Sequence, residues 1–294
     1  MTRRRAGGLI AGLAVLLCAG IPAAADPVED GAYLIRAGGC VSCHTDHKNK
    51  GEMLAGGRAL ETPFGTFYSP NITPDEETGI GGWSDAEFVA ALRDGTTPDG
   101  SHYFPTFPYP TYTNMTEPDM LAIKAYLDSL APVANPNRAH EISPPFSWRF
   151  LQTFWKLLFF ERGPMQADPD KPADWNRGAY LVEALTHCGE CHTPRNAFGA
   201  LDRDMWMAGT PDGPDGELVA NITPDAETGI GDWSEGDIVG LLKTGLKPNF
   251  DDVQGSMQEA IEDGLKYLTD EDLRAIAVYV KALPPIENKV ERQR

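Results

Sequence analysis

Two short stretches of this chain place thiols and imidazoles at one chemically suggestive spacing: Cys40-Val-Ser-Cys43-His44 and Cys188-Gly-Glu-Cys191-His192. On a helix, residues three and four apart share a face. Two thiols so placed can each form a thioether with a vinyl group of one porphyrin. The histidine four residues after the first thiol then directs its imidazole at the iron from the same side. This is the attachment signature of c-type haem. A redox dithiol has no need of the following histidine, and a zinc site built from these groups would have to join two distant segments. The sequence therefore predicts two covalently bound haem c groups. Cys40, Cys43, Cys188 and Cys191 are the expected attachment points, with His44 and His192 as iron ligands.

A buried haem propionate needs hydrogen-bond donors. An amide and an indole N–H supply them without adding charge. Asn71 with Trp83, and Asn221 with Trp233, recur at matching places and are candidates. They could equally be a turn-shaping residue and a core residue. Arg58 and Arg195 are candidate propionate partners by charge.

The elements that must position these groups come as an internal repeat. Gly-Ala-Tyr-Leu precedes each haem motif, at 31–34 and 178–181, and Asn-Ile-Thr-Pro-Asp recurs at 71–75 and 221–225. Two helical patterns also correspond, Thr116 to Leu130 and Thr269 to Leu283. Each opens on Thr with Asp three residues later, a variant of the capping box. A repeat of about 150 residues is too long for a solenoid and implies two homologous domains. Alternating strand patterns are scarce, whereas Gly, Pro and Thr-rich loops abound. The expected fold is mainly α: two small helical shells with long loops, each around one haem.

The chain of 294 residues has 25 Lys and Arg against 43 Asp and Glu, a net charge of −18. That excludes a nucleic-acid binder, which needs a basic footprint. Arg3–Arg5, the apolar run Leu9–Ile21 and Ala23–Ala25 read as an export signal cleaved before Asp26, which predicts a periplasmic protein. The expected plan is a signal peptide at 1–25, domain 1 at 26–134 and an interdomain segment at 135–171. Domain 2 at 172–286 and a polar tail at 287–294 complete it. Within the interdomain segment, seven of the 15 residues of Phe146–Phe160 are aromatic, against 9% overall. As a helix it has a narrow polar stripe of Arg149, Gln152, Thr153 and Lys156. The remaining apolar circumference calls for a burial partner: the interdomain groove, another subunit, or the membrane interface.

The haem pentapeptides, the Asn-Ile-Thr-Pro-Asp loops, and the stretches Trp155-Lys-Leu-Leu-Phe-Phe and Trp175-Asn-Arg-Gly-Ala-Tyr-Leu together resemble one family. It is that of the cytochrome c subunits of membrane-bound bacterial alcohol, aldehyde and gluconate dehydrogenases, whose first two haem domains the likeness covers. The resemblance implies class I cytochrome c domains, each with a methionine from the loop before its last helix as sixth iron ligand: Met115 in domain 1 and Met257 in domain 2. His102 and His140 are alternative ligands. It also implies single-electron transfer from a dehydrogenase to a downstream acceptor, a quinone or another cytochrome, without catalysis by this chain. A dihaem redox enzyme, of peroxidase or thiosulfate-oxidising type, is the alternative.

Overall fold

The computed structural model describes residues 26–292, so the expected export signal lies outside the described residues. The first half holds α1 (Pro27–Ala37), α2 (Cys40–His44), β1 (Ala59–Thr62), β2 (Gly65–Tyr68), α3 (Asp85–Asp94), α4 (Tyr109–Tyr112), α5 (Glu117–Asp128) and β3 (Glu141–Ile142). After α6 (Leu151–Phe159), the second half holds α7 (Ala173–Tyr180), α8 (Cys188–His192), α9 (Glu235–Thr244), α10 (Gly255–Asp263) and α11 (Asp270–Lys281). The three strands form one small antiparallel sheet, in the order β1-β2-β3.

Each half is built on a crossing of its first and last helices, and glycine permits the approach. A Cβ on Gly31 in α1 would lie 2.0 Å from the Ala122 carbonyl oxygen of α5. On Gly178 in α7 it would lie 2.0 Å from that of Ala275 in α11. Both positions are the glycine of the repeated Gly-Ala-Tyr-Leu. The terminal helices start where the sequence signals: Thr116 Oγ1 accepts the Asp119 N–H, and Thr269 Oγ1 that of Asp272. The third helix of each half carries a complete capping box, Ser84 with Glu87 and Ser234 with Asp237.

Both terminal helices are followed by a strand-like return over their own half. Asn135 Nδ2 donates to the Ala55 carbonyl at 2.7 Å and Asn288 Nδ2 to that of Ala208 at 2.8 Å. The first half thus extends beyond residue 134 to β3, whose Glu141 pairs with Thr66. Asn288, expected in a polar tail, is likewise part of the second half's packing.

The segment Phe146–Phe160 is helical only from Leu151, and its polar stripe faces the first half. Lys156 Nζ donates to the carbonyls of Asp94 and Gly95 at 2.6 and 2.9 Å, and Arg149 donates to the His102 carbonyl at 2.7 Å. Trp155 Nε1 reaches the Phe198 carbonyl of the second half at 2.9 Å. The opposite face points outward, with Leu157 83% and Leu158 71% exposed.

Candidate haem sites

The haem motifs form the short helices α2 and α8. Each is entered through a left-handed residue, Gly39 (φ 66°) and His187 (φ 45°), which turns the chain sharply off the preceding helical segment. Burial pushes the thiols of Cys40 and Cys191 up to about 12, with Cys43 and Glu190 respectively adding to the effect. Burial likewise raises the thiols of Cys43 and Cys188.

His44 Nδ1 lies 2.8 Å from the Pro70 carbonyl oxygen, and His192 Nδ1 lies 2.8 Å from that of Ala220. A carbonyl can only accept, so each Nδ1 carries the hydrogen. The lone pair is thereby left on Nε2, the arrangement that orients a metal-bound histidine. Burial lowers the pKa of both imidazoles, and the carbonyl contacts only partly oppose it. Neutral rings with a free Nε2 are what an iron requires.

In the first half the motif opens on a cavity of about 590 Å³. Cys40, Cys43, His44, Trp83 and Met115 all line it, among mostly apolar neighbours. Its volume falls in the range of cofactor pockets, about 300–1,000 Å³. The thiol pair, the free imidazole nitrogen and the apolar walls fit a covalently held haem. In the second half, Trp233 and Met257 pack against the hydrophobic core.

The repeated asparagines have a different occupation from propionate binding. Asn71 Nδ2 donates to Thr78 Oγ1 and to the Val133 carbonyl, at 3.0 and 2.7 Å. Asn221 Nδ2 does the same with Thr228 and Ile286, again at 3.0 and 2.7 Å. Both amide hydrogens are used in each case, so these residues tie the Asn-Ile-Thr-Pro-Asp loop to the strand-like return. Among the described residues no protein acceptor meets the indole N–H of Trp83 or Trp233, which leaves those two donors available.

The arginines are also engaged elsewhere. Arg58 bridges from the Ser42 carbonyl (2.7 Å) to Glu259 of the second half. Arg195 holds the Glu190 carbonyl and carboxylate at 3.0 and 2.5 Å. Both brace a haem-motif helix where propionate pairing was expected. The cations that do line the first cavity are Arg138 and Arg149, which sequence reasoning did not select. Arg138 comes from the strand-like return of the first half and Arg149 from the segment after β3, and no haem motif marks them. Of the alternative iron ligands, His102 has both ring nitrogens engaged, by Lys156 and Thr153 at 3.0 Å each.

A family model described as cytochrome c matches residues 28–131. The chain is 42% identical to a diheme cytochrome c-type protein of Cereibacter sphaeroides, over 95% of this chain and 99% of the relative. It is 39% identical to the fructose dehydrogenase cytochrome subunit of Gluconobacter japonicus, over 92% of this chain and 58% of that one. It is 40% identical to the cytochrome c subunit of a quinone-type alcohol dehydrogenase of Gluconacetobacter polyoxogenes, over 88% and 56%. The chain thus spans little more than half the length of these dehydrogenase subunits. It belongs to the c-type cytochromes, as an electron-transfer protein with covalently bound haem c.

Proposed function

We propose that this chain is a dihaem, periplasmic electron-transfer subunit that takes single electrons from a dehydrogenase and passes them to a quinone or another cytochrome. The observation that carries this reading is the duplicated site. Each half sets two cysteines on one helical turn, with a histidine whose Nδ1–H is spent on a backbone carbonyl.

In this reading Cys40 and Cys43 anchor one haem, with His44 as its ligand. Cys188 and Cys191 anchor the other, with His192 and Met257 as ligands. Haem, when bound, supplies a one-electron ferric–ferrous couple. The chain contributes orientation and surroundings. The Pro70 and Ala220 carbonyls fix the tautomer and the ring plane of each imidazole. The mostly apolar walls give the first site surroundings of low polarity, and the indoles of Trp83 and Trp233 offer neutral donors to buried carboxylates.

The two attachment helices also lie close together. A Cβ on Gly39 would stand 2.9 Å from His187 Nε2, and the rings of Tyr112 and His187 are 5.7 Å apart. That proximity supports exchange of an electron between the halves within one molecule.

The outward row of Phe150, Phe154, Leu157 and Leu158 supports docking on an apolar surface, of the partner dehydrogenase or of the membrane interface. Among the described residues no helix is long and apolar enough to cross a membrane.

A pyridine haemochrome assay tests the haem count directly. Two haems per chain is the expected result, and one would overturn the dihaem reading. Stoichiometric reduction by a co-purifying dehydrogenase tests the electron donor.

A further inference from the structure

The two halves match closely enough to ask whether each offers the same group to the far side of its haem. After the third helix of each half, a small turn runs in parallel. The bridge Thr96–His102 answers Leu246–Asp252. The Tyr103 N–H donates to the Gly95 carbonyl at 2.9 Å, as that of Val253 does to Gly245 at 2.9 Å. Counted on from there without a gap, Phe107 answers Met257, although Met257 lies within α10 and Phe107 just before α4.

The match resumes at the caps Thr116 and Thr269, and there Met115 answers Leu268. Both are buried, 1% and 2% exposed. The Met115 N–H bonds to the Tyr112 carbonyl and the Leu268 N–H to that of Leu265, three residues back in each case. A leucine has no atom to give a metal, so in the second half this is a packing position. Met115 also lines the first cavity, and by this correspondence its thioether packs there rather than ligates. Met120, by the same register, answers Leu273, and both are fully buried. The second half carries a short insertion between its two anchors. Wherever that is placed, residues 104–114 contain no methionine.

The remaining donors are committed elsewhere. His102 holds Lys156 and Thr153. His140 lines the cavity, but its Nδ1 accepts the Tyr68 N–H at 3.2 Å. The neutral ring then carries its hydrogen on Nε2 and has no lone pair to offer there. Tyr112 donates its hydroxyl to the Gly38 carbonyl at 2.6 Å.

Building on the dihaem reading above, we infer that the first haem has no protein ligand on its distal side, where Phe107 replaces methionine, and that this position binds small exogenous ligands. The ligand class is set by the walls. Phe104, Phe107 and Tyr112 offer an apolar surface suited to a compact, π-accepting molecule such as carbon monoxide on ferrous iron. The consequence for electron flow follows from the missing thioether, since methionine ligation raises a haem potential. The first haem is the lower-potential centre, and electrons run from it to the second.

The test uses the purified holo-protein, with haems counted by pyridine haemochrome. In the ferric state the near-infrared band of thioether-ligated iron should correspond to one haem of the two. In the ferrous state carbon monoxide should shift the absorption of the other one. Met115→Leu should change neither signal. Phe107→Met should double the near-infrared band and abolish the carbon monoxide response. A band from two haems with no carbon monoxide binding would overturn the inference, as would halving of the band in Met115→Leu. A count of one haem per chain would instead overturn the dihaem reading, so the two failures are distinguishable.

Discussion

Tyr33 and Asp272 join the first helix of one half to the last helix of the other: the phenol donates to the Asp272 carboxylate at 2.6 Å. The pair has a counterpart with the halves exchanged, in which the Tyr180 hydroxyl donates to Asp119. Each phenolic oxygen also accepts the N–H of the neighbouring cap, Thr269 at 3.2 Å and Thr116 at 3.1 Å. Both tyrosines belong to the repeated Gly-Ala-Tyr-Leu, so each half helps cap the terminal helix of its partner half. Tyr33→Phe and Tyr180→Phe should each destabilise the protein by about 1 kcal/mol, the usual net worth of a hydrogen bond. Guanidinium unfolding of the holo-protein measures this. Unchanged midpoints in both variants would show that the crosswise pairs carry no stability.

The same pair gives the fold an acid dependence. Burial would raise the pKa of the Asp272 carboxyl, but hydrogen bonds from Arg177 and Tyr33 outweigh it and hold the group below its usual range. The stabilisation this represents is present above the unfolded carboxyl pKa of about 3.9 and is lost as pH falls through the depressed folded value. Burial, reinforced by Asp272, pushes the Tyr33 phenol up to about 12. That contribution is complete below the unfolded phenol value near 10 and disappears as pH rises toward 12. Asp272→Asn should flatten the acid limb of a stability–pH curve, and Tyr33→Phe should trim the alkaline limb.

Gly31 and Gly178 should tolerate no side chain. An added Cβ would collide with backbone, at 2.0 Å in each case, and backbone cannot swing aside as a flexible side chain can. Gly31→Ala should force α1 and α5 apart and cost stability in the range of other overpacked cores, about 1–3 kcal/mol. Gly178→Ala should do the same to α7 and α11. Thermal unfolding compares both with Gly82→Ala, where an added Cβ meets nothing.

Removing one haem should unfold one half. Replacing Cys40 and Cys43 by alanine removes both covalent anchors of a cofactor in the cavity of about 590 Å³. Metal-coupled folding gives the precedent for a domain whose binding energy is its folding energy. The haemochrome count should fall by one and the far-ultraviolet helical signal should drop. A native-like helical spectrum with the haem missing would contradict this.

What was legible in the sequence was local. The haem pentapeptides, the repeat and the caps at Thr116 and Thr269 each need only a few consecutive residues, and the helices begin where those signals say. The burdens of Asp119 and Asp272 were half legible. Their backbone N–H groups are capped as expected, but their carboxylates reach across to the other half's tyrosine, and no local pattern encodes that. Asn71 and Asn221 read as donors for a buried acid, yet their partners are carbonyls some 60 residues away, Val133 and Ile286. The correspondence of Met115 with Leu268 emerges only when hydrogen-bonded turns fix the register of the two halves.

The α6 segment presents the least expected orientation and the last prediction. Its apolar circumference called for a burial partner in the interdomain groove, another subunit or the membrane interface. The structure sets the polar side inward: Lys156 reaches the Asp94 carbonyl and shares that of Gly95 with the Tyr103 N–H, and Arg149 reaches the His102 carbonyl. Stability should therefore depend on the polar side and binding on the apolar side. Lys156→Met should lower the unfolding midpoint, at a cost of about 1 kcal/mol, since the half-buried Asp94 carbonyl loses its donor while that of Gly95 keeps the Tyr103 N–H. The double variant Leu157→Ser, Leu158→Ser should stay within about 0.5 kcal/mol of the parent, as expected for exposed positions. That second variant should lose either its dehydrogenase in co-purification or its binding to zwitterionic liposomes, according to which surface the row serves. The cations of the stripe face inward, so anionic lipid should add nothing to liposome binding. If the serine variant retains both interactions, the outward apolar row has no docking role.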